Sequence, residues 1–409
     1  MSHQNFMRIF MTCLVITFSA QAQFPTIRNP LYWPFADTSI WNMPIGSNAQ
    51  YVPARIGPSL GAGMTDDEDI LLLNSAAPLV MLEENNAGWD ATKRRCTSLT
   101  GRLLYQVPIP TGFSTDPGYV GTTPNMSAAF LLPDNRTLKQ NQPFHRCGAG
   151  GTATTQVLFP DVDLYGSGIP GAHGGSGLSA IGGTVRVGEL LPGSTIRHAL
   201  KCNLYAAKYI AYNNDGTRGY RWPARNADGY ANGVYAGLVP ALEQGALLAL
   251  LPNFNVAGLR TGPARILAQA FKDYGAYVVD DTYWDVYGIE VEWGPNGRVL
   301  NEFQSIWGWP FSTNQLSTCA SISNECSWAK DMADIFINLN VVDNNSASSI
   351  GGGGTRRTPL APVFGPAVRI LTPTPVPNPM QSLQVGTYSF GMEKKTDLRG
   401  RKWSAPQLH

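Results

Sequence analysis

The sequence predicts an all-β dominated fold, a single large domain of β-sandwich or jelly-roll type with one or two short helices. Three observations carry that expectation. The chain is rich in turn formers and poor in charge, with 43 Gly, 30 Pro and 14% charged residues among 409. Short runs of β-forming residues recur from Phe24 to about Asn340, among them RLLYQVPI, SAAFLLP, TTQVLF, TVRVGEL, AYVVDD and DVYGIEVEW. Turn signals such as Pro133-Asp134-Asn135, Asn214-Asp215-Gly216 and Pro295-Asn296-Gly297 separate the runs, a texture that suits a sandwich better than a βαβ protein.

At the N-terminus, Arg8, an apolar run from Ile9 to Phe18 and Ala20-Gln21-Ala22 have the layout of a secretory signal peptide over residues 1–22. The apolar run is about half the length that spans a bilayer, so the expected location is extracellular or periplasmic and not membrane-spanning. A β-rich domain over 23–345 follows. From Ser346 the composition shifts to Gly and Pro, with eight Lys or Arg against two Asp or Glu, and 346–409 reads as a basic extension. A formal net charge of +1 provides no field to gather nucleic acid.

Removing the leader leaves Cys96, Cys147, Cys202, Cys319 and Cys326. In an oxidising compartment some should pair, Cys319 with Cys326 first and Cys96 with Cys147 second, leaving Cys202 as a buried thiol. No CxxC pair with partner ligands occurs, and five histidines are too few for a His-rich metal cage. The expectation is no metal and no cofactor, with structural calcium open through the acids of DDTYWD or of Asp66 to Asp69. One helix stands out in GPARILAQAFKDYGA, over 262–274: Pro263 suits its first turn, Gly275 its end, and Ile266, Leu267, Ala270, Phe271 and Tyr274 share a face.

Candidate chemistry concentrates between Phe159 and Lys201. In GAHGGSGLSAIGG, glycines flank His173 on both sides, permit close approach to the backbone and supply no bulk to bury the ring. The residue reads either as an exposed loop histidine or as the acid, base or clamp of a ligand loop shared with Ser176. If TVRVGEL is a strand, Arg186 stands on its open face, while in TIRHALKC the alternation places His198 with Ile196, Leu200 and Cys202 on the apolar face. A histidine so placed is either a core residue or a proton shuttle beside a carboxylate. In DDTYWD, Asp281 ends a strand beside Trp284, which suits stacking on a sugar. In GYRWPARNADG, Tyr220, Trp222 and Arg225 offer aromatic faces and a guanidinium fork for a glycan. Motifs for serine hydrolases, zincins, thiol proteases and phosphate loops are lacking.

IRHALK, then YRWPARN, then a Gly-Pro-led helix running into KDYGAYVVDDTYWDVYG resembles a group of secreted bacterial proteins with an Ile-Arg/Asp-His-Ala-Leu-Arg, Trp-Pro-Ala-Arg-His and Tyr-Gly signature. The likeness covers about Phe159 to Trp293 and implies secretion without implying a reaction. Position by position it points to Arg197, His198, Trp222, Arg225, Tyr274, Asp280 and Asp281. This chain departs from the pattern at Asn226, where the signature has histidine, and His173 is the candidate substitute.

The expected function is a secreted carbohydrate-active protein acting on an extracellular polysaccharide, with anionic glycans among the candidate substrates. Lyase chemistry would draw a cation from Arg186 or Arg225, a base from His173 or His198 and an acid such as Tyr220. Hydrolase chemistry would draw two carboxylates from Asp163, Glu189, Asp281 and Asp285. The alternative is a non-catalytic glycan-binding or cell-surface structural protein. A groove lined by Arg, His and Tyr within hydrogen-bond reach of one another would favour the enzyme, and a flat Trp platform without paired acids would favour binding.

Overall fold

Alternation along the central strands puts two different chemistries on the two faces of one sheet. In the strand Leu200–Leu204, Leu200, Cys202 and Leu204 turn one way and Lys201 and Asn203 the other. In Tyr287–Gly294, Ile289 and Val291 share the apolar side with Cys202, while Glu290 and Glu292 take the opposite side. A computed structural model describes residues 24–59, 63–115, 125–213, 216, 218–313 and 323–365.

These strands belong to a 12-stranded mixed sheet. At its centre, Met64–Leu72 runs parallel to Tyr287–Gly294, which pairs antiparallel with Leu200–Leu204, which in turn runs parallel to Ala276–Asp281. Strand outweighs helix by 29% to 14%, so the molecule is β-dominated, as the sequence predicts. Beyond one flank of this sheet, Leu82, Val107 and Ala153 of a four-stranded sheet share a core with Ile70, Leu72, Ala128 and Phe130 of the large one.

Among the described residues there are four α-helices: α1 (Ala231–Val234), α2 (Gly262–Asp273), α3 (Val299–Trp307) and α4 (Asn324–Ile337). The predicted helix is α2, with Pro263 in its first turn and Gly275 beyond its end at φ +80°. Leu267, Ala270 and Phe271 are buried as expected, whereas Ile266 is only partly buried. Helices α3 and α4 were not legible. The Pro295-Asn296-Gly297 signal does make a hairpin, Trp293 opposite Arg298, but the chain then runs straight into α3. Ser323 caps α4 by accepting from the Cys326 backbone N–H, in a region the cysteine spacing marks as a loop. Phe271 of α2, Phe336 of α4 and Tyr287 of the sheet meet in one aromatic contact, with Phe336 stacked on Tyr287 at 4.3 Å.

The opposite face is covered by the short strand Pro170–His173 and by irregular chain from 35–45 and 174–184, through Phe35, Trp41, Ile45, Ala172, Leu178 and Ile181. TVRVGEL follows this layer and is not a strand: Val185, which joins the core on the helix side, makes a single bridge to Val291 and the chain then turns. Cys96 and Cys147 form a disulfide, and Cys202 is a buried free thiol. Cys326 is disulfide-bonded too, while Cys319 lies outside the described residues, as do the leader and 366–409. Residues 346–365 pack on the domain: Val363–Phe364 pairs with Ile27–Arg28, and Arg356 donates to Pro44 O and Ile350 O. Among the described residues no helix is long and apolar enough to cross a membrane.

Replacing Phe336 by Ala should destabilise the fold by about 3–5 kcal/mol, because it empties the contact that joins two helices to the sheet. Leu238→Ala, at an 89% exposed site, should stay within about 0.5 kcal/mol. Denaturant unfolding of both variants checks the contrast.

Candidate functional site

The polar face of the central strands carries the site. Pairing sets Asp67 opposite Glu290 and Asp69 opposite Glu292, and Asn203 lies between Gly288 and Asp280. A register shift at Cys202/Asn203 skips Val279, so that Asp280 lines up beside Asn203. Four neighbouring strands thus deliver Asp67, Asp69, Glu290, Lys201, Asn203 and Asp280 to one polar patch.

Lys201 and Asp69 are fully buried and paired at 2.7 Å. The ammonium also donates to Ser179 O and Ala180 O at 3.0 and 3.2 Å, and Thr184 donates its hydroxyl to Asp69 at 2.7 Å. The Asn125 side-chain amide donates to both Asp67 (2.7 Å) and Asp280 (2.8 Å). Asn203 adds a donor to Asp67 at 3.3 Å.

His173 ends the strand Pro170–His173 and hangs over this patch. It is not the exposed loop residue that its glycines suggest: its exposure is 0%. Nε2 lies 3.0 Å from Glu290 and 3.7 Å from Asp69, and Nδ1 lies 4.0 Å from Asp280. Neither ring nitrogen is aligned for a hydrogen bond with any of them. Burial, reinforced by Lys201, pulls the imidazole down to about 4, so the ring is neutral at neutral pH.

The glycines are there because carboxylates press on the backbone. A Cβ on Gly174 would fall 1.6 Å from Asp280 Oδ2, and one on Gly175 would fall 2.4 Å from Asp228 Oδ2. The Gly175 N–H instead donates to Asp280 at 3.3 Å. Asn226, which stands where the signature has histidine, donates its amide to Gly175 O, so it serves here as a positional donor to the loop. Ser176 is fully buried with its hydroxyl on His173 O.

On the solvent side lie Asp228, Asp280 and Asp281, with one oxygen of each within 4.8 Å of the others. Tyr230 donates to Asp281 at 3.0 Å, and Tyr235 and Gln244 donate to Asp228. Burial and then the Asp228 charge raise Asp281 to about 7. Burial raises Asp228, and burial with Asp228 and Asp281 raises Asp280 well above the usual carboxylate range. Deeper in, burial and Glu290 raise Asp67, and burial and Asp69 raise Glu290. Beyond the trio, Tyr283 and Trp284 are exposed in the turn after the strand, and Arg225 is exposed.

The other sequence candidates lie apart from this cluster. Arg186 is buried, not on an open face, and bonds Glu292 at 2.8 Å and the carbonyls of Leu31 and Tyr32. His198 meets Glu189 at 3.1 Å. Both line a small depression with Tyr32, Trp33, Trp41 and Asn42 that includes none of the clustered carboxylates. Asp163 pairs with Arg136 and Asp285 with Lys208. Trp222 packs partly buried on the core, and Tyr220 bridges to Gln244, which holds Asp228. No family model, no curated protein and no solved structure matches the chain.

Of the clustered residues, sequence reading singled out His173 and Asp281 and named Asp280 and the Asp66–Asp69 run as calcium candidates. Glu290 and the pairing role of Asp228 were missed. A glutamate alternating with Ile289 and Val291 in a long apolar strand is the signal that could have found Glu290.

Two outcomes follow from this geometry. Gly174→Ala should destabilise by about 1–3 kcal/mol through the collision with Asp280, whereas Gly112→Ala, with open space at its Cβ, should not; thermal melts compare them. Burial would lower His198, but Glu189 outweighs it and the folded value is raised. Its contribution is therefore complete below the unfolded value of about 6.5 and is lost as pH rises through the folded value. His198→Gln should remove that part of the pH dependence of stability in denaturant melts.

Proposed function

We propose that the chain is a secreted carbohydrate-active enzyme, a glycoside hydrolase whose reacting pair is Asp281 and Asp228. The observation that carries this reading is the approach of these two half-buried carboxylates to within 4.8 Å, beside Tyr230 and an exposed Tyr283-Trp284 turn. Retaining glycosidases hold their two carboxyl groups about 5–5.5 Å apart, and inverting ones about 6.5–9.5 Å. The close approach favours the retaining geometry.

In that scheme Asp281 gives its proton to the glycosidic oxygen as the bond to the anomeric carbon breaks. Asp228, oriented by Tyr235 and Gln244, forms the new bond to that carbon. Water then attacks the carbon, releases Asp228 and returns a proton to Asp281. Trp284 and Tyr283 offer stacking faces for the sugar, and Arg225 a cation for an acidic one. The lyase alternative has less support, because Arg186 and His198 are already committed to Glu292 and Glu189.

The groups facing Asp281 are Asp228, Asp280, Tyr230 and Tyr235. Burial and then the Asp228 charge, opposed by the Tyr230 hydrogen bond, hold its proton up to about pH 7, so turnover should fall as pH rises through that value. The test incubates the purified chain with neutral and anionic polysaccharides and follows reducing ends together with the ultraviolet absorbance of unsaturated uronates. Reducing ends should rise without that absorbance, and Asp281→Asn and Asp228→Asn should each slow the rise by about 10²–10⁴-fold. Unsaturated products would replace this reading with a lyase, and glycan capture without turnover would replace it with a binding protein.

A further inference from the structure

The geometry points to a buried divalent-cation site, of first-row transition-metal type, formed by Asp67, His173 and Glu290. It is separate from the Asp228–Asp281 pair and stands whether or not that pair hydrolyses glycans. One donor atom from each of the three residues lies within 4.8 Å of the other two. The donors come from three strands, Met64–Leu72, Pro170–His173 and Tyr287–Gly294.

The second observation concerns His173 itself. Its ring is wholly buried and aimed into the acids, yet both nitrogens lack a hydrogen-bond partner. A buried polar group left unpaired costs on the order of 1–3 kcal/mol, and native interiors seldom leave one so. The 3.0 Å between Nε2 and Glu290 is a close contact without hydrogen-bond alignment. Two atoms each about 2.1 Å from one metal ion and at a right angle from it are about 3.0 Å apart. The contact thus has the length of one edge of a coordination polyhedron. Nδ1 faces the Asp280 carboxylate, the kind of partner that orients a ligating histidine.

Charge leads to the same place. Among the described residues, no Lys or Arg makes an ion pair with Asp67, Glu290 or Asp280. The nearby Lys201 is already committed to Asp69 and two carbonyls. Asp69 Oδ1, buried and without a hydrogen-bond partner, faces the same space. An imidazole nitrogen among carboxylates suits Zn²⁺ or Mn²⁺ rather than Ca²⁺, which takes oxygen ligands. With its donors on three strands and Glu290 and His173 closed to solvent, the ion would act as a pin that fastens the glycine hairpin to the sheet.

The test strips the full chain with EDTA, re-adds Zn²⁺, Mn²⁺ or Ca²⁺ singly, and measures bound metal by elemental analysis and the melting temperature. The expected result is about one Zn²⁺ or Mn²⁺ per chain with a raised melting temperature, and no comparable effect of Ca²⁺. Glu290→Gln and the half-buried Asp67→Asn should each weaken uptake by about 100-fold, while Asp281→Asn should leave it unchanged. If Glu290→Gln fails to fold, Asp67→Asn decides. Wild-type chain loaded with Co²⁺ should in addition show paramagnetically shifted ring protons from one histidine, a readout that needs no variant. No uptake by the wild type, an equal response to Ca²⁺, uptake unchanged in the folded variants, or Co²⁺ without a shifted histidine would each overturn the site. Hydrolysis by Asp228 and Asp281 is read from sugar products and not from metal uptake, so loss of one result leaves the other standing.

Discussion

The buried ion pair between Lys201 and Asp69 is the contact on which the rest of this arrangement depends. An ammonium with no access to water is tolerable only if every proton has a partner, and here the three partners are Asp69, Ser179 O and Ala180 O. Two of these acceptors belong to the irregular layer and one to a central strand. The pair therefore does more than neutralise Asp69: it fixes the 179–184 chain at a set height above the sheet. Truncating either partner would leave a buried charge alone, a loss of about 3–5 kcal/mol. The glycine hairpin that precedes Ser179 inherits its position from this anchor.

Once the hairpin is held, the placement of His173 and the need for glycine follow together. The backbone at Gly174 and Gly175 passes so close to Asp280 and Asp228 that a methyl group would overlap them. The carboxylates fit because Asp280 was brought to this side by the register shift past Val279. Without that shift, Val279 would stand opposite Asn203 and the outer trio would lose its middle member. A local irregularity in one strand thus decides the chemistry of a cluster built from residues between Asp67 and Glu290.

How much of this could be read from the sequence depended on the range of the signal. The β-dominated class, α2, the strands in RLLYQVPI, SAAFLLP, AYVVDD and DVYGIEVEW, and the singular character of GAHGGSGLSAIGG rest on local patterns of Gly, Pro and alternation. So does the marking of Asp281 at a strand end beside an exposed Trp284. What local patterns could not carry was the burial of His173, because the bulk that covers it comes from chain far away in sequence. The same holds for Asp67 opposite Glu290, whose meeting depends on a parallel pairing between distant strands. Arg186 was misplaced for a related reason: TVRVGEL has the alternation of a strand, but the turn at Gly188 and Glu189 folds Arg186 in against Glu292.

Hydrogen-bond donors, rather than acids, distinguish the two halves of the cluster. The outer trio is well supplied, with Tyr230 on Asp281, Tyr235 and Gln244 on Asp228, and the Asp281 and Gly175 backbone N–H groups on Asp280. Carboxylates so provided, and reached by solvent, can exchange protons without structural penalty, which is what acid and base work requires. The inner group is short of donors: both oxygens of Glu290 and Oδ1 of Asp69 have no hydrogen bond, and His173 offers none in alignment. A shared proton would relieve one such atom, whereas the proposed cation would relieve several that converge on one point. Asn125 sits at the divide and gives one N–H to Asp67 and the other to Asp280. Its neutral amide ties the two groups together at the boundary between the side proposed for proton chemistry and the side proposed for cation binding.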